Sequence, residues 1–169
     1  MARIGIFYAS TAGHTAKAAE TIAKLLGSSH EVTLVKLADS NLDEMLTYDN
    51  LILGSSTWGQ GELQSDWREP FLEMDEADFA GKTIALFGTG ESKKHGEHFV
   101  GALGILRDKL IARGGKIVGA VGGAGYSFKS STAFIDGKFA GLALDEVNEP
   151  HKTKARIEAW VEAIRGSFN

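Results

Sequence analysis

Cysteine is missing altogether from the 169 residues, which excludes disulfides and any metal or iron–sulfur site built on thiolates. Proline occurs only twice, too rarely for a proline-rich linker or tail. No apolar stretch approaches the length of a membrane span, and Met1-Ala2-Arg3 leads directly into a strand-like run without a signal peptide, so a soluble, cytoplasmic protein is expected. Positive charge is also short: 18 Lys and Arg against 22 Asp and Glu leave a formal net charge of −4. No window carries the basic stripe that general nucleic-acid binding needs. The phosphate-binding patterns GxxxxGK[ST] and GxGxxG are both absent, which removes most of the support for nucleoside triphosphates and for Rossmann-type dinucleotides.

What is abundant is glycine, 21 residues, in keeping with many tight turns at strand ends. The length suits one domain with a sizeable buried core. Apolar runs alternate with amphipathic ones along the whole chain. Strands are expected at Arg3 to Ala9, His30 to Leu37, Asn50 to Ser55, Thr83 to Gly88 and Lys116 to Ala120 or Val121. The last is interrupted by a Gly-rich insertion, Gly122 to Lys138, before Phe139 to Leu144 resumes an apolar strand. Between them lie helical patterns: Ala16 to Leu26, with Ala19, Ile22, Ala23 and Leu26 on one face; a short helix at Asn41 to Leu46 capped by Asp39 or Ser40; Ser65 to Met74; a stripe of Phe99, Leu103, Leu106 and Leu110; and a final stripe of Ile157, Trp160, Val161 and Ile164. Regular strand–helix alternation implies a doubly wound α/β fold with a parallel sheet. In such sheets ligands bind outside the carboxyl ends of the strands, where the strand order reverses.

Three polar turns stand at those carboxyl ends: Tyr8-Ala9-Ser10-Thr11-Ala12-Gly13-His14-Thr15, Ser55-Ser56-Thr57-Trp58-Gly59-Gln60-Gly61-Glu62, and Gly88-Thr89-Gly90-Glu91. The first runs from a strand into a helix N-terminus, where backbone N–H groups converge with the hydroxyls of Ser10, Thr11 and Thr15. It has no lysine, so it suits one phosphate monoester held by neutral donors, including the amides around Ala12 to Thr15. Ser10 and Thr11 suit an ordinary helix cap equally well.

Taken in order and spacing, these pieces resemble the flavodoxins, small electron carriers that hold FMN non-covalently. The resemblance rests on Ile6-Phe7-Tyr8 with Ser10 to Thr15, Thr57-Trp58 with Gly61 to Trp67, Phe79 to Lys82, Phe87 to Gly90, and Gly137-Lys138-Phe139 with Gly141 to Asp145. It implies a three-layer sandwich around a five-stranded parallel sheet in the order 2-1-3-4-5, with the insertion splitting the fifth strand as in the long-chain branch. It also implies an FMN site built from Ser10, Thr11, Ala12, Gly13, His14 and Thr15 at the phosphate, Ser55, Ser56, Thr57, Trp58 and Gly59 at the inner ring face, and Thr89, Gly90, Glu91, His95 and His98 at the outer face and pyrimidine edge. Trp58 is expected to stack on the flavin, and Gly59-Gln60 to turn over when the flavin N5 gains a proton. Trp67 and Trp160, within helical patterns, are read as core residues. The protein would be a monomeric one-electron shuttle, not an enzyme, taking electrons from a flavodoxin reductase-type or other donor and passing them transiently to low-potential acceptor enzymes.

The chain departs from the family pattern at Ala12, usually a threonine, and at His95, usually a tyrosine in long-chain members, which here follows Lys93 and Lys94. Glu62, Asp66, Glu91, Asp145 and Glu146 would surround the reduced cofactor with negative charge, and a protonated His95 would oppose them. Two rival readings share the fold. An FMN-dependent NAD(P)H:quinone reductase would need a nicotinamide pocket, for which no motif is evident. A response-regulator receiver would need acidic residues where this chain has Ala9-Ser10 and Gly54-Ser55. Tyr126, Phe128 and Phe134 leave the insertion readable either as a docking surface or as the cover of a strand edge.

Overall fold

The computed structural model describes all 169 residues. In chain order its main elements are β1 (Arg3–Ala9), α1 (His14–Leu26), β2 (Glu31–Lys36), α2 (Leu42–Met45), β3 (Asn50–Trp58), β4 (Glu62–Leu63), α3 (Arg68–Glu73), β5 (Thr83–Thr89), α4 (Gly101–Ala112), β6 (Lys116–Val118), β7 (Val121–Gly122), β8 (Phe134–Ile135), β9 (Lys138–Phe139), β10 (Leu142–Leu144) and α5 (Thr153–Ile164). The principal sheet runs β2-β1-β3-β5-β10, with all four pairings parallel. The outer edge of β5 is shared by two segments: β6 pairs with its first half at Thr83–Ala85, and β10 with its second half at Phe87–Thr89.

Alternation along the central strands sorts side chains to two faces. Phe7, Leu51, Leu53, Ile84 and Leu86 pack beneath Trp67, Phe79 and the α4 residues Leu103, Leu106 and Leu110. Ile4, Ile6, Ile52, Ala85 and Phe87 pack beneath α1, through Ala19, Ile22 and Leu26, and α5, through Ile157, Trp160, Val161 and Ile164. A sheet covered on both faces explains why β3 and β5 read as continuous apolar runs. Trp67 and Trp160 are both buried, their indole N–H groups donating to Gly54 O (3.1 Å) and Gly119 O (2.8 Å). No helix is long and apolar enough to cross a membrane.

Four local expectations change. The α2 cap is Asn41, whose Oδ1 accepts from Glu44 N at 2.9 Å, because its extended backbone aims the side chain at the first turn. Strand β3 continues through Ser55 to Trp58, since β4 folds back to pair with its last residues. Phe99 precedes α4 and does not belong to it. Phe139 to Leu144 is not one strand: β9 joins β7 and β8 in a separate antiparallel sheet, and only β10 lies in the principal one. The β8–β9 hairpin turns at Asp136-Gly137, both with positive φ (54° and 81°), the conformation a tight two-residue hairpin requires.

The aromatic side chains of the insertion face inward. Phe139 lies 4.9 Å from the ring centroids of both Tyr126 and Phe134, and Phe128 packs on Phe99 at 5.8 Å. The Tyr126 hydroxyl donates to Ala143 O at 2.7 Å, tying the insertion to β10. Burial pushes the Tyr126 phenol up, partly offset by the Arg156 guanidinium 3.9 Å above its ring. These residues therefore cover the end of the principal sheet and do not form an exposed apolar surface.

Candidate functional site

The carboxyl ends of β1, β3 and β5 lie side by side, because the parallel registers bring Ala9 opposite Ser55 and Ser56 opposite Thr89. After β1 the chain passes through Ser10 to Gly13 and enters α1 at His14. Gly13 occupies the helix-cap position with φ 92° and no side chain caps the helix. The Ser10 hydroxyl instead accepts from Gly13 N at 3.2 Å, and Thr11 Oγ1 accepts from Gln64 Nε2 at 3.1 Å. The ordinary-cap reading of Ser10 and Thr11 is thereby excluded. A 13-residue helix is left with an uncapped first turn, the positive end of its dipole, facing an exposed hydroxyl-bearing loop. Thr15 is buried, and its hydroxyl lies 2.9 Å from that of Thr89, so it joins the first loop to the third.

In the second loop, Gly59 (φ 52°) and Gly61 (φ 86°) make the turn from β3 to β4. Trp58 stands at the turn with 47% of its surface exposed and its indole N–H donating to Ser56 Oγ at 2.8 Å. Ser55 is buried, accepting from Gln64 N at 3.1 Å and donating to Ser56 O at 2.8 Å. Its part is to hold the loop.

The third loop hangs on Asp145, the residue just after β10. This buried carboxylate accepts from Ser92 N (2.9 Å), Ser92 Oγ (2.5 Å), Val147 N (3.1 Å), Asn148 N (2.9 Å) and Asn148 Nδ2 (3.0 Å). Burial alone would raise its carboxyl, but the hydrogen bonds from Ser92 and Asn148 outweigh burial and hold it below the usual carboxylate range. Glu91 Oε1 accepts from Lys94 N at 3.1 Å, and the other Glu91 oxygen lies 4.0 Å from His95 Nε2. The His95 side chain is 64% exposed.

Ala12 and His14 from the first loop, Ser56 to Gly59 from the second, and Thr89 to Glu91 with His95 and His98 from the third line one cavity of about 380 Å³. That volume lies within the range of small-molecule sites. Ser10, Gly13, Thr15 and Ser55 do not line it, and Thr11 lines an adjoining cavity that also contains Trp58, Glu62 and Arg68. Glu146, expected as part of the negative surround, and Val147, which was not expected, complete the wall, and their position just past the fifth strand is the signal for them. Gln64, which bonds to both the first and second loops, had no such signal. No cluster of three His, Asp or Glu side chains is placed to hold a metal ion.

A family model described as Flavodoxin matches residues 6–160. The chain belongs to the flavodoxin family. Flavodoxin 1 of Azotobacter vinelandii is 49% identical over 99% of this chain and 98% of its own length. The flavodoxin of a Picosynechococcus species is 42% identical, with 99% of both chains covered. Among solved structures, the Fusobacterium nucleatum flavodoxin bound to flavin mononucleotide superposes with a TM-score of 0.94 at 34% identity, covering all of both chains. The flavodoxin fold is thus shared over the full length of the chain.

Proposed function

We propose that this flavodoxin binds FMN in the cavity formed by the three loops and serves as a low-potential one-electron carrier that converts no substrate of its own. The observation that carries this reading is the uncapped start of α1 behind an exposed hydroxyl loop, beside a half-exposed Trp58 on the same cavity. The donor set fits the group. The amides at the start of α1 and the hydroxyls of Ser10 and Thr11, just outside the lining of that cavity, would hold the phosphate, with Thr15 supporting them from below. Trp58 would cover one ring face and His95 the other, and Thr89, Gly90 and Glu91 would meet the pyrimidine edge. Bound there, FMN supplies electron transfer in single steps. Trp58 and the loop walls would exclude water from the ring, Glu91 and Glu146 would set a negative field around it, and Gly59, at φ 52°, would tolerate either orientation of its peptide.

In this role the carrier works as a monomer in the cytoplasm and meets a reductase-type donor and low-potential acceptor enzymes transiently. The quinone reductase alternative is set aside, since the relatives that span nearly the whole chain are flavodoxins.

FMN added to cofactor-free protein is expected to lose its own fluorescence with one-to-one stoichiometry; unchanged FMN fluorescence at micromolar protein would refute the assignment. With 47% of Trp58 exposed, about 100 Å² of indole is available for the ring to cover. At about 25 cal/mol per Å² that is worth ~2.5 kcal/mol, so Trp58→Ala should raise the FMN dissociation constant roughly sixtyfold. An unchanged constant would remove Trp58 from the ring.

A further inference from the structure

Positive charge is scarce in this molecule, yet three lysines gather beside the candidate site. Lys93, Lys94 and Lys129, with His95, His98 and Glu97, enclose a separate cavity of about 220 Å³ that has no apolar residue in its wall. His95 and His98 line both this cavity and the larger one, so the two adjoin. All three lysines are exposed. Neither Lys93 nor Lys94 has a carboxylate partner, and Lys129 is only loosely paired, 3.7 Å from Glu97 with both side chains largely in solvent. The scaffold beneath them is tied down. Lys129 N and Ser130 N both donate to Gly96 O, at 2.8 and 2.9 Å, and Ser130 Oγ donates to Glu97 O at 2.7 Å. Two segments far apart in sequence thus present their cations on one fixed surface.

The segment that follows the second loop is acidic. Residues 62–78 contain seven carboxylates and one cation, Arg68. Glu62 and Arg68, at its start, share a cavity with Trp58, which also lines the larger cavity. Unpaired cations gathered beside the mouth of a site attract a partner of opposite charge and bias the way it approaches. Lysines supply mobile point charges, and the basic loop has no guanidinium fork of the kind that recognises phosphate through paired hydrogen bonds.

We propose that Lys93, Lys94 and Lys129 form the docking site for an acidic patch on a redox partner protein, holding that partner's carboxylates over the third loop. The proposal rests on the FMN reading for its bearing on electron transfer, but the binding itself does not require the cofactor.

The test is a titration of isotope-labelled protein, FMN-loaded and cofactor-free, with a hexaglutamate peptide followed by amide chemical shifts. Shifts are expected at residues 93–98 and 129–130 in both forms. They should diminish between ~20 and ~200 mM salt, where screening shortens the reach of exposed charges. The K93E/K94E/K129E variant should bind at least about tenfold more weakly with its spectrum otherwise retained. K17E/K154E, altering a cavity between α1 and α5, should bind as the unaltered protein does. Shifts centred on Lys17 and Lys154, no shifts at 93–98, or tighter binding of inorganic pyrophosphate than of the peptide at the same amides would overturn the proposal. Failure of FMN to bind, with the peptide shifts intact, would count only against the cofactor reading.

Discussion

Replacing Asp145 with alanine is expected to destabilise the protein by about 3–5 kcal/mol, a large part of the ~5–15 kcal/mol that holds a domain of this kind together. The carboxylate is the shared acceptor for five donors on Ser92, Val147 and Asn148. Each buried donor left without a partner costs about 1–3 kcal/mol, and the half-exposed Asn148 can recover part of that from water. Asp145→Asn should cost nearly as much, because one carboxylate oxygen becomes an NH₂ group that cannot accept, and donors point at both oxygens: Ser92 at one, the Val147 and Asn148 amides at the other. FMN affinity should fall with stability, since Ser92 anchors the loop between Gly90 and His95. Urea denaturation and an FMN titration measure the two effects.

Acid gives the same interaction a second signature. The Asp145 pKa is lower folded than unfolded, so its contribution is complete above the unfolded value near ~3.9 and is lost as pH falls through the folded value. The Lys152 hydrogen bond, aided by Arg156, holds Glu149 down as well, and its contribution has the same sign. Asp145→Ala should therefore show a shallower loss of stability below about pH 4 than the unaltered protein, with the Glu149 part remaining. An identical acid slope in both would exclude Asp145 as the anchor.

Gly141→Ala should lower stability by about 3 kcal/mol or more, roughly 10 °C in melting temperature for a chain of this size. A Cβ there would lie 2.0 Å from Leu86 O and 2.6 Å from Leu86 C, both backbone atoms of β5 that no rotamer change can move. Relief requires β10 to shift from β5, disturbing the Leu142–Phe87 and Leu144–Thr89 pairings and, just beyond, Asp145. Gly122→Ala is the matched control, because a Cβ at Gly122 meets nothing within 4 Å. It should change stability by less than about 0.5 kcal/mol. Comparable melting temperatures for the two variants would show that β10 yields easily and that the close approach at Gly141 is not a constraint.

The alternation of strand and helix, the covered faces and the three site loops were legible in the sequence because they depend on local periodicity and on turn residues at strand ends, whereas the strand order came from the resemblance to the flavodoxins. Ile4 and Ile6 against Phe7, or Ile157 with Trp160 and Val161, announce a face without reference to any partner. The polar stretches at Ser10, Ser56 and Thr89 mark the carboxyl ends of strands, and a parallel sheet must gather those ends at one edge. Tertiary structure alone decided what these groups do once gathered. Thr15 meets Thr89 across 74 positions, Ser92 meets Asp145 across 53, and Lys129 joins Lys93 and Lys94 through bonds to Gly96. It also decided that Phe139 leaves the principal sheet for a small antiparallel one and that Ser56 to Trp58 extend β3. The physical reason is the same throughout: a hydroxyl, carboxylate or edge strand is satisfied by whichever partner the folded chain brings within about 3 Å, and local pattern carries no record of that partner.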